Sequence, residues 1–245
     1  MNIKSSIFAM IFFMTTFAIA DNEIYIDQVG AGADIDIKQD GSGNVMGGDA
    51  SQIAAGSPSA FVLDGLNLNF NAQMIGSSNK LYGSLFGDGI NFDLDIDGSS
   101  NELNFDNDKD DVYGADGGDY VIDITGGNND LDLDVASLDA ADNLDFDLIL
   151  DGDFNVGDIN IDASSLTFNL DVTGDNNNLL YNAEGYDGHY FKMTGVGNYW
   201  DIEVNQTSTL QSDSLEVEFS GSGTSTTDAT ICITQSDSGT ATTCP

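Results

Sequence analysis

The side chains able to do chemistry in this sequence are almost all carboxylates. Asp and Glu number 42 against five lysines (Lys4, Lys38, Lys80, Lys109 and Lys192), arginine is absent, and the formal net charge is −37 over 245 residues. Two carboxylates flanking a sugar can hydrolyse a glycosidic bond, and several converging on one point can hold calcium. In a chain this rich in Asp, however, pairs at any spacing arise by chance, so pairing alone designates no catalytic residue. The single histidine, His189, cannot supply both a catalytic and an orienting imidazole, nor a His-rich metal site. Without arginine there is no bidentate clamp for phosphate or carboxylate substrates. Without a basic surface there is no footprint for nucleic acid. A polysaccharide lyase that sets basic residues against an acidic sugar lacks its side chains here. The expectation is a protein that is not an enzyme, carries no cofactor and binds no nucleic acid.

Two smaller groups remain. Cys232 and Cys244 lie twelve residues apart near the C-terminus, with no His or third Cys at metal-ligand spacing. In an exported chain they either close a small disulfide loop or stay as two thiols. Tyr199 and Trp200, with Tyr186, Tyr190 and Phe191, cluster around His189. A packed aromatic layer in a wide turn is expected there. A carbohydrate or surface-contact platform is the alternative.

The elements that must position these groups are strands. Residues 1–20 read first as an export address: Lys4 opens it, Ile7 to Phe17 are almost wholly apolar, and Ala18-Ile19-Ala20 matches a cleavage site. A membrane-spanning helix needs about 20 apolar residues, which this run does not reach. Cleavage after Ala20 would release a secreted chain. Beyond it, period-two alternation dominates. Phe92, Leu94 and Ile96 interleave with Asp93, Asp95 and Asp97; Leu131, Leu133 and Val135 interleave with Asp130, Asp132 and Asp134. Such alternation is a strand with one buried and one wet face. No stripe of helical period follows the address.

One turn recurs between the strands, Gly-x-x-Asn. It stands at Gly41/Asn44, Gly76/Asn79, Gly98/Asn101, Gly126/Asn129, Gly152/Asn155, Gly174/Asn177 and Gly195/Asn198, with Gly221 opening a degraded copy. Glycine supplies a tight bend, and asparagine tolerates left-handed backbone. Repeats mostly 21–28 residues long mark a stacked array. The same strands could pair as hairpins in an antiparallel sandwich, but hairpins favour two-residue Asn-Gly loops. The expected fold is therefore all-β, a β-solenoid of strand–turn–strand arches. About nine coils at the strand spacing of ~4.8 Å would make a rod on the order of 40 Å long. The organisation expected is a signal peptide at 1–20, solenoid repeats at 21–228, and a Cys-containing cap or tail at 229–245.

The first units carry a family resemblance. Gln28-Val-Gly30-Ala-Gly-Ala33 is followed eleven residues later by Gln39-Asp-Gly41-Ser-Gly-Asn44. This resembles the curlin repeat, Gln-x-Gly-x-x-Asn-x-Ala followed after three residues by the next Gln. Ala33 and Ile35 stand where curlins have Asn and Ala. Residues 22–46 carry the close likeness; further along, Gly-x-x-Asn persists while the leading Gln becomes Met74, Ile96, Ile124, Val172 or Met193. The resemblance implies a β-solenoid subunit exported by a Sec signal. It also implies passage through an outer-membrane secretion pore, nucleation by a minor subunit, and polymerisation into extracellular amyloid-type fibres for adhesion and biofilm.

A second reading attaches to the aspartates. Asp106 to Asp111, Gly117-Gly118-Asp119 and Gly126-Gly127-Asn128-Asn129-Asp130 faintly resemble the Gly-Gly-x-Gly-x-Asp calcium nonapeptides of RTX proteins, without their tandem nine-residue period. It implies a monomeric acidic adhesin binding Ca2+ weakly. No single residue is designated a metal ligand. On either reading an outward row of Asp would repel itself and keep the rod soluble.

Overall fold

The structure is a computed structural model, and it describes residues 22–47, 61–107, 116–135, 141–185, 188–207, 213–221 and 230–236. The expected signal peptide at 1–20 and most of the 229–245 tail lie outside these residues. Among the described residues every regular element is a strand. In chain order they are β1 (Asn22–Ile24), β2 (Asp27–Val29), β3 (Asp34–Asp40), β4 (Gly43–Met46), β5 (Phe61–Asp64), β6 (Asn69–Ile75), β7 (Ser78–Phe86), β8 (Asn91–Asp97), β9 (Asn101–Asn107) and β10 (Asp119–Thr125). There follow β11 (Asn129–Val135), β12 (Ala141–Asp142), β13 (Asp145–Asp151), β14 (Asn155–Ser164), β15 (Thr167–Thr173), β16 (Asn177–Glu184), β17 (Tyr190–Val196), β18 (Trp200–Thr207), β19 (Ser214–Ser220) and β20 (Thr230–Ser236).

Every strand pairing is parallel, and the chain passes back and forth between two sheets, with β1 and β2, β4 and β5, and β11 and β12 as successive segments of the same sheet. One sheet has eight strands in the order β3-β6-β8-β10-β13-β15-β17-β19. The other has twelve, with the path β1-β4-β7-β9-β11-β14-β16-β18-β20. This is a β-solenoid of about seven turns, rather than about nine. Unequal coils contribute to the difference: from Gly41 to Gly76 the chain takes 35 residues, against 22 for the next.

Alternation and stacking together build the core. In β13 all seven residues alternate exposed and buried, so Phe146, Leu148 and Leu150 point inward while the aspartates face solvent. Parallel register then places like on like. Phe70, Phe92, Tyr120, Phe146, Phe168 and Phe191 are Cα partners in sequence down the eight-stranded sheet. Their rings lie 4.9 Å apart for Phe70–Phe92 and 5.1 Å for Phe146–Phe168, stacked within 20°. Phe61, Phe105 and Tyr181 reach into this column from the opposite sheet. Each buried ring contributes about 1.5–3 kcal/mol through area alone, with further gain from ring geometry.

Two corners join the sheets. At one, the tips beginning Gly76, Gly98, Gly126, Gly152 and Gly174 stack so tightly that a Cβ on each would strike the carbonyl oxygen of the glycine one coil earlier. Close backbone approach is what the glycine is for. At the other corner Leu68, Ile90, Leu144 and Leu166 point inward at the start of four of the coils. Each is preceded by left-handed backbone at Asn67, Gly89, Asn143 and Ser165, with φ between 53° and 63°.

Gly127 makes the control for the tip argument. A Cβ there meets nothing closer than 3.5 Å. Gly127→Ala should therefore leave the urea midpoint unchanged. Gly152→Ala should cost about 3 kcal/mol or more by forcing two coils apart. Paired urea titrations followed by far-ultraviolet circular dichroism decide this.

Candidate functional site

The asparagines of the repeated tips form one continuous column. Asn22, Asn44, Asn79, Asn101, Asn129, Asn155 and Asn177 are aligned coil on coil. Each donates Nδ2–H to Oδ1 of the next, at 3.0, 2.8, 2.9, 2.9, 2.7 and 2.7 Å along the series. The second amide hydrogen goes to a tip carbonyl, for example Asn79 to Asp97 O at 3.0 Å and Asn177 to Gly174 O at 2.7 Å. From Asn44 onward all are buried, at 0–3% exposure. The arch turns main-chain carbonyls inward, where an aliphatic residue would leave them unpaired. Asparagine satisfies them and links the coils.

The two halves of the first unit occupy different corners. Gln39, Gly41 and Asn44 lie together at the start of the asparagine column, and Gln39 Nε2 donates to Asn22 O at 2.9 Å and Val45 O at 3.2 Å. Gln28 sits in β2 opposite Leu63, and Gly30 opens the other corner with φ 126°. The eleven-residue spacing thus relates two quasi-equivalent corners of one coil. One is lined by asparagine and the other by apolar residues.

Gly195 and Asn198 are not the seventh tip. Gly195 is buried inside β17, opposite Val172 and Phe219. The tip starts instead at Gly197, and Trp200 takes the column position opposite Asn177. A Cβ at Gly195 would run into the rings of Phe219 and Trp200, so this glycine makes room for an indole. Trp200 is 3% exposed, and its Nε1 has no hydrogen-bond partner. The amide column therefore ends at Asn177. Asn198 instead bonds Asp175 Oδ1 through its backbone N–H at 2.7 Å and its side-chain amide at 3.0 Å.

The aspartates mostly avoid one another. On the outer face of the eight-stranded sheet the only stacked acid pairs are Asp119–Asp145 and Asp95–Asp123. Elsewhere amides are interleaved and donate to carboxylates: Asn69 to Asp34 at 2.8 Å, Gln73 to Asp95 at 2.8 Å, Asn169 to Asp147 at 2.7 Å. The opposite sheet adds Glu102–Asp130, Asp132–Asp158, Asp106–Asp134 and Asp162–Glu184 as stacked pairs. Crowding shows in the titration of three groups. Asp123 is raised by burial and then by Asp95 and Asp151; Asp132 by burial and then chiefly by Asp158; Asp145 by burial and then by Asp147 and Asp119.

The remaining sequence candidates separate. Phe191 and Trp200 are core residues, whereas Tyr190 and Tyr199 are 37% and 53% exposed; Tyr186 lies outside the described residues. His189 is buried in the apolar corner, its Nε2–H donating to Ala163 O at 2.5 Å and its Nδ1 4.0 Å from the buried Asp213 carboxylate. Cys232 is disulfide-bonded, and Cys244 is the one other cysteine in the chain. Among the described residues no three His, Cys, Asp or Glu side chains converge as a metal site, and no helix is long and apolar enough to cross a membrane.

Among the described residues, β3 and β19 each pair with a neighbouring strand on one side only. Interior core rows are fully buried, but Ile35 and Ile37 of β3, and Leu215, Val217 and Phe219 of β19, are only partly so. Ile231 and Ile233 of β20 remain 38% and 40% exposed. The phenylalanine column and the second corner were readable as a constant Phe-x-Φ offset before each tip glycine. The unequal loops obscure that offset.

Two outcomes follow. Asn129→Leu, which orphans the Asn101 amide and a tip carbonyl, should cost about 2–4 kcal/mol in urea unfolding, whereas Asn104→Leu on the outer face should stay within about 0.5 kcal/mol. The raised carboxylates hold their protons more tightly folded than unfolded. Their stabilisation is complete below the ordinary value of 3.8 and is lost as pH rises through the folded values. Melting temperature should therefore rise as pH falls from 7 to about 4, and Asp123→Asn should add about 1–3 °C at neutral pH while flattening that rise.

No family model, no curated protein and no solved structure matches this chain.

Proposed function

We propose that the chain is a secreted structural subunit that polymerises end to end into extracellular fibres of the curlin type, serving adhesion and biofilm. The observation that carries this reading is that, among the described residues, β3 and β19 each pair on one side only and each carries a partly buried apolar row. Addition of a second copy by strand pairing satisfies both. Continuing the register of the coils sets β19 of one copy beside β3 of the next. Leu215 then faces Ile35, Val217 faces Ile37, and Glu218 faces Lys38. The export address and the Gln28–Gln39 spacing fit the same role. A secretion pore and a nucleating subunit would be its partners.

A second reading, a monomeric adhesin that stiffens with calcium, is favoured by the stacked acid pairs on the twelve-stranded sheet. The two readings part in one experiment. Purified protein is incubated with and without calcium and followed by thioflavin fluorescence and negative-stain microscopy. Fibres without calcium, hastened by acid or salt as carboxylate repulsion is relieved, are the expected result. Val217→Lys and Ile37→Lys, one at each end, should each arrest growth. A protein that stays monomeric, with a melting temperature that climbs on adding calcium, overturns the first reading in favour of the second.

A further inference from the structure

The tips change character along the rod. Counting from each tip glycine, the third residue is Gly43, Ser78, Ser100 and Asn128 in the earlier coils. In the last three it is Phe154, Asn176 and Tyr199, all in left-handed backbone with φ 64°, 62° and 60°. Asparagine suits that region; bulky aromatic residues do not. Burial does not explain them either, since Phe154 is 54% and Tyr199 53% exposed. Backbone strain and solvent-exposed rings coincide at two equivalent positions, and the earlier coils turn the same corner without them. Strain held with no packing return points to a contact outside the chain.

The geometry of this corner restricts what that contact is. Main-chain bonds tie the three tips in register, from Phe154 N to Asp175 O and from Asn176 N to Asn198 O, both 2.8 Å. Two coils therefore separate the rings, about 10 Å at the strand spacing. Beside them runs a polar row. Asp153 Oδ1 accepts from Asp175 N at 2.8 Å and Asp175 Oδ1 from Asn198 N at 2.7 Å, which fixes both carboxylates at the surface beside the rings. A net charge of −37 excludes acidic polysaccharides, nucleic acids and anionic lipid as occupants. Aromatic platforms for nucleic acid also need a cationic groove, which this chain lacks.

We propose that Phe154 and Tyr199 form a binding platform for a neutral, β-linked polysaccharide. In such a chain alternate pyranose rings present the same face once per disaccharide, a repeat that suits two rings two coils apart. The apolar sugar faces stack on the aromatic rings, and sugar hydroxyls donate to Asp153 and Asp175. This platform lies on the side of the rod and needs neither open end.

Native gels cast with soluble cellulose ether, β-mannan, xylan or alginate test it on the full protein. At least one neutral polysaccharide should retard migration and alginate should not. Phe154→Asn and Tyr199→Asn, which relieve the backbone, should each weaken binding about tenfold while leaving the melting temperature equal or higher. Tyr199→Phe should bind as the parent does. The proposal is overturned if no neutral polysaccharide retards the protein, or if the Asn variants bind unchanged. It also falls if those variants lose binding only together with thermal stability, or if they disperse self-association instead, which would make the rings a contact between copies. The end variants Val217→Lys and Ile37→Lys should bind as the parent does, so the platform and the assembly reading stand or fall separately.

Discussion

Everything in this protein follows from parallel, in-register stacking, which sets each residue about 4.8 Å from its counterpart in the next coil. That constraint rewards some side chains and punishes others. Amides stacked on amides donate and accept in one direction without limit, and the column from Asn22 to Asn177 does so at every step. Aromatic rings stacked on rings fill the core at contact distance. Carboxylates stacked on carboxylates repel. The outer faces answer by setting Asn, Gln or Thr between most aspartates, so that a chain of −37 still folds. Where pairs persist, as at Asp123 and Asp145, their titration is displaced upward.

The same constraint makes the ends and the sides of the rod different surfaces. At each end of the described stack, β3 or β19 pairs on one side only and its core row is partly exposed. A side is a lattice of columns whose chemistry can change from coil to coil without disturbing the stack. The tips illustrate this freedom. Ser77 and Ser99 bridge the early tips through their hydroxyls, Asp153 and Asp175 bridge the late ones, and aromatic residues enter only among the latter.

How much of this was legible depended on whether the signal was periodic. Alternation of Phe, Leu and Ile with Asp yields strands and their inward faces directly, and recurrent Gly-x-x-Asn marks a stacked corner. Reading the last repeat by the same motif placed a tip at Gly195 and Asn198, two residues early in the chain. Those residues match the motif, but Trp200 needs the space that Gly195 leaves, and the bend moves to Gly197. The second corner carries a fixed offset, since Leu68, Ile90, Leu144 and Leu166 each stand two residues before a Phe of the ring column and eight before a tip glycine, but its turn residues Asn67, Gly89, Asn143 and Ser165 vary, so no turn motif announces it.

By itself, then, the sequence determined the strand content, the inward rows and the asparagine corner. These are local properties, set by side-chain period and charge. Tertiary structure alone decided which residues share a column. Coil lengths range from 22 to 35 residues between tips, so register cannot be counted along the chain. It is settled when cores, amides and glycine backbones of neighbouring coils must fit at one spacing. For that reason the sequence could announce the acidic face, while only the folded stack revealed which aspartates meet, where the amide column stops, and that Phe154 and Tyr199 stand on the same edge.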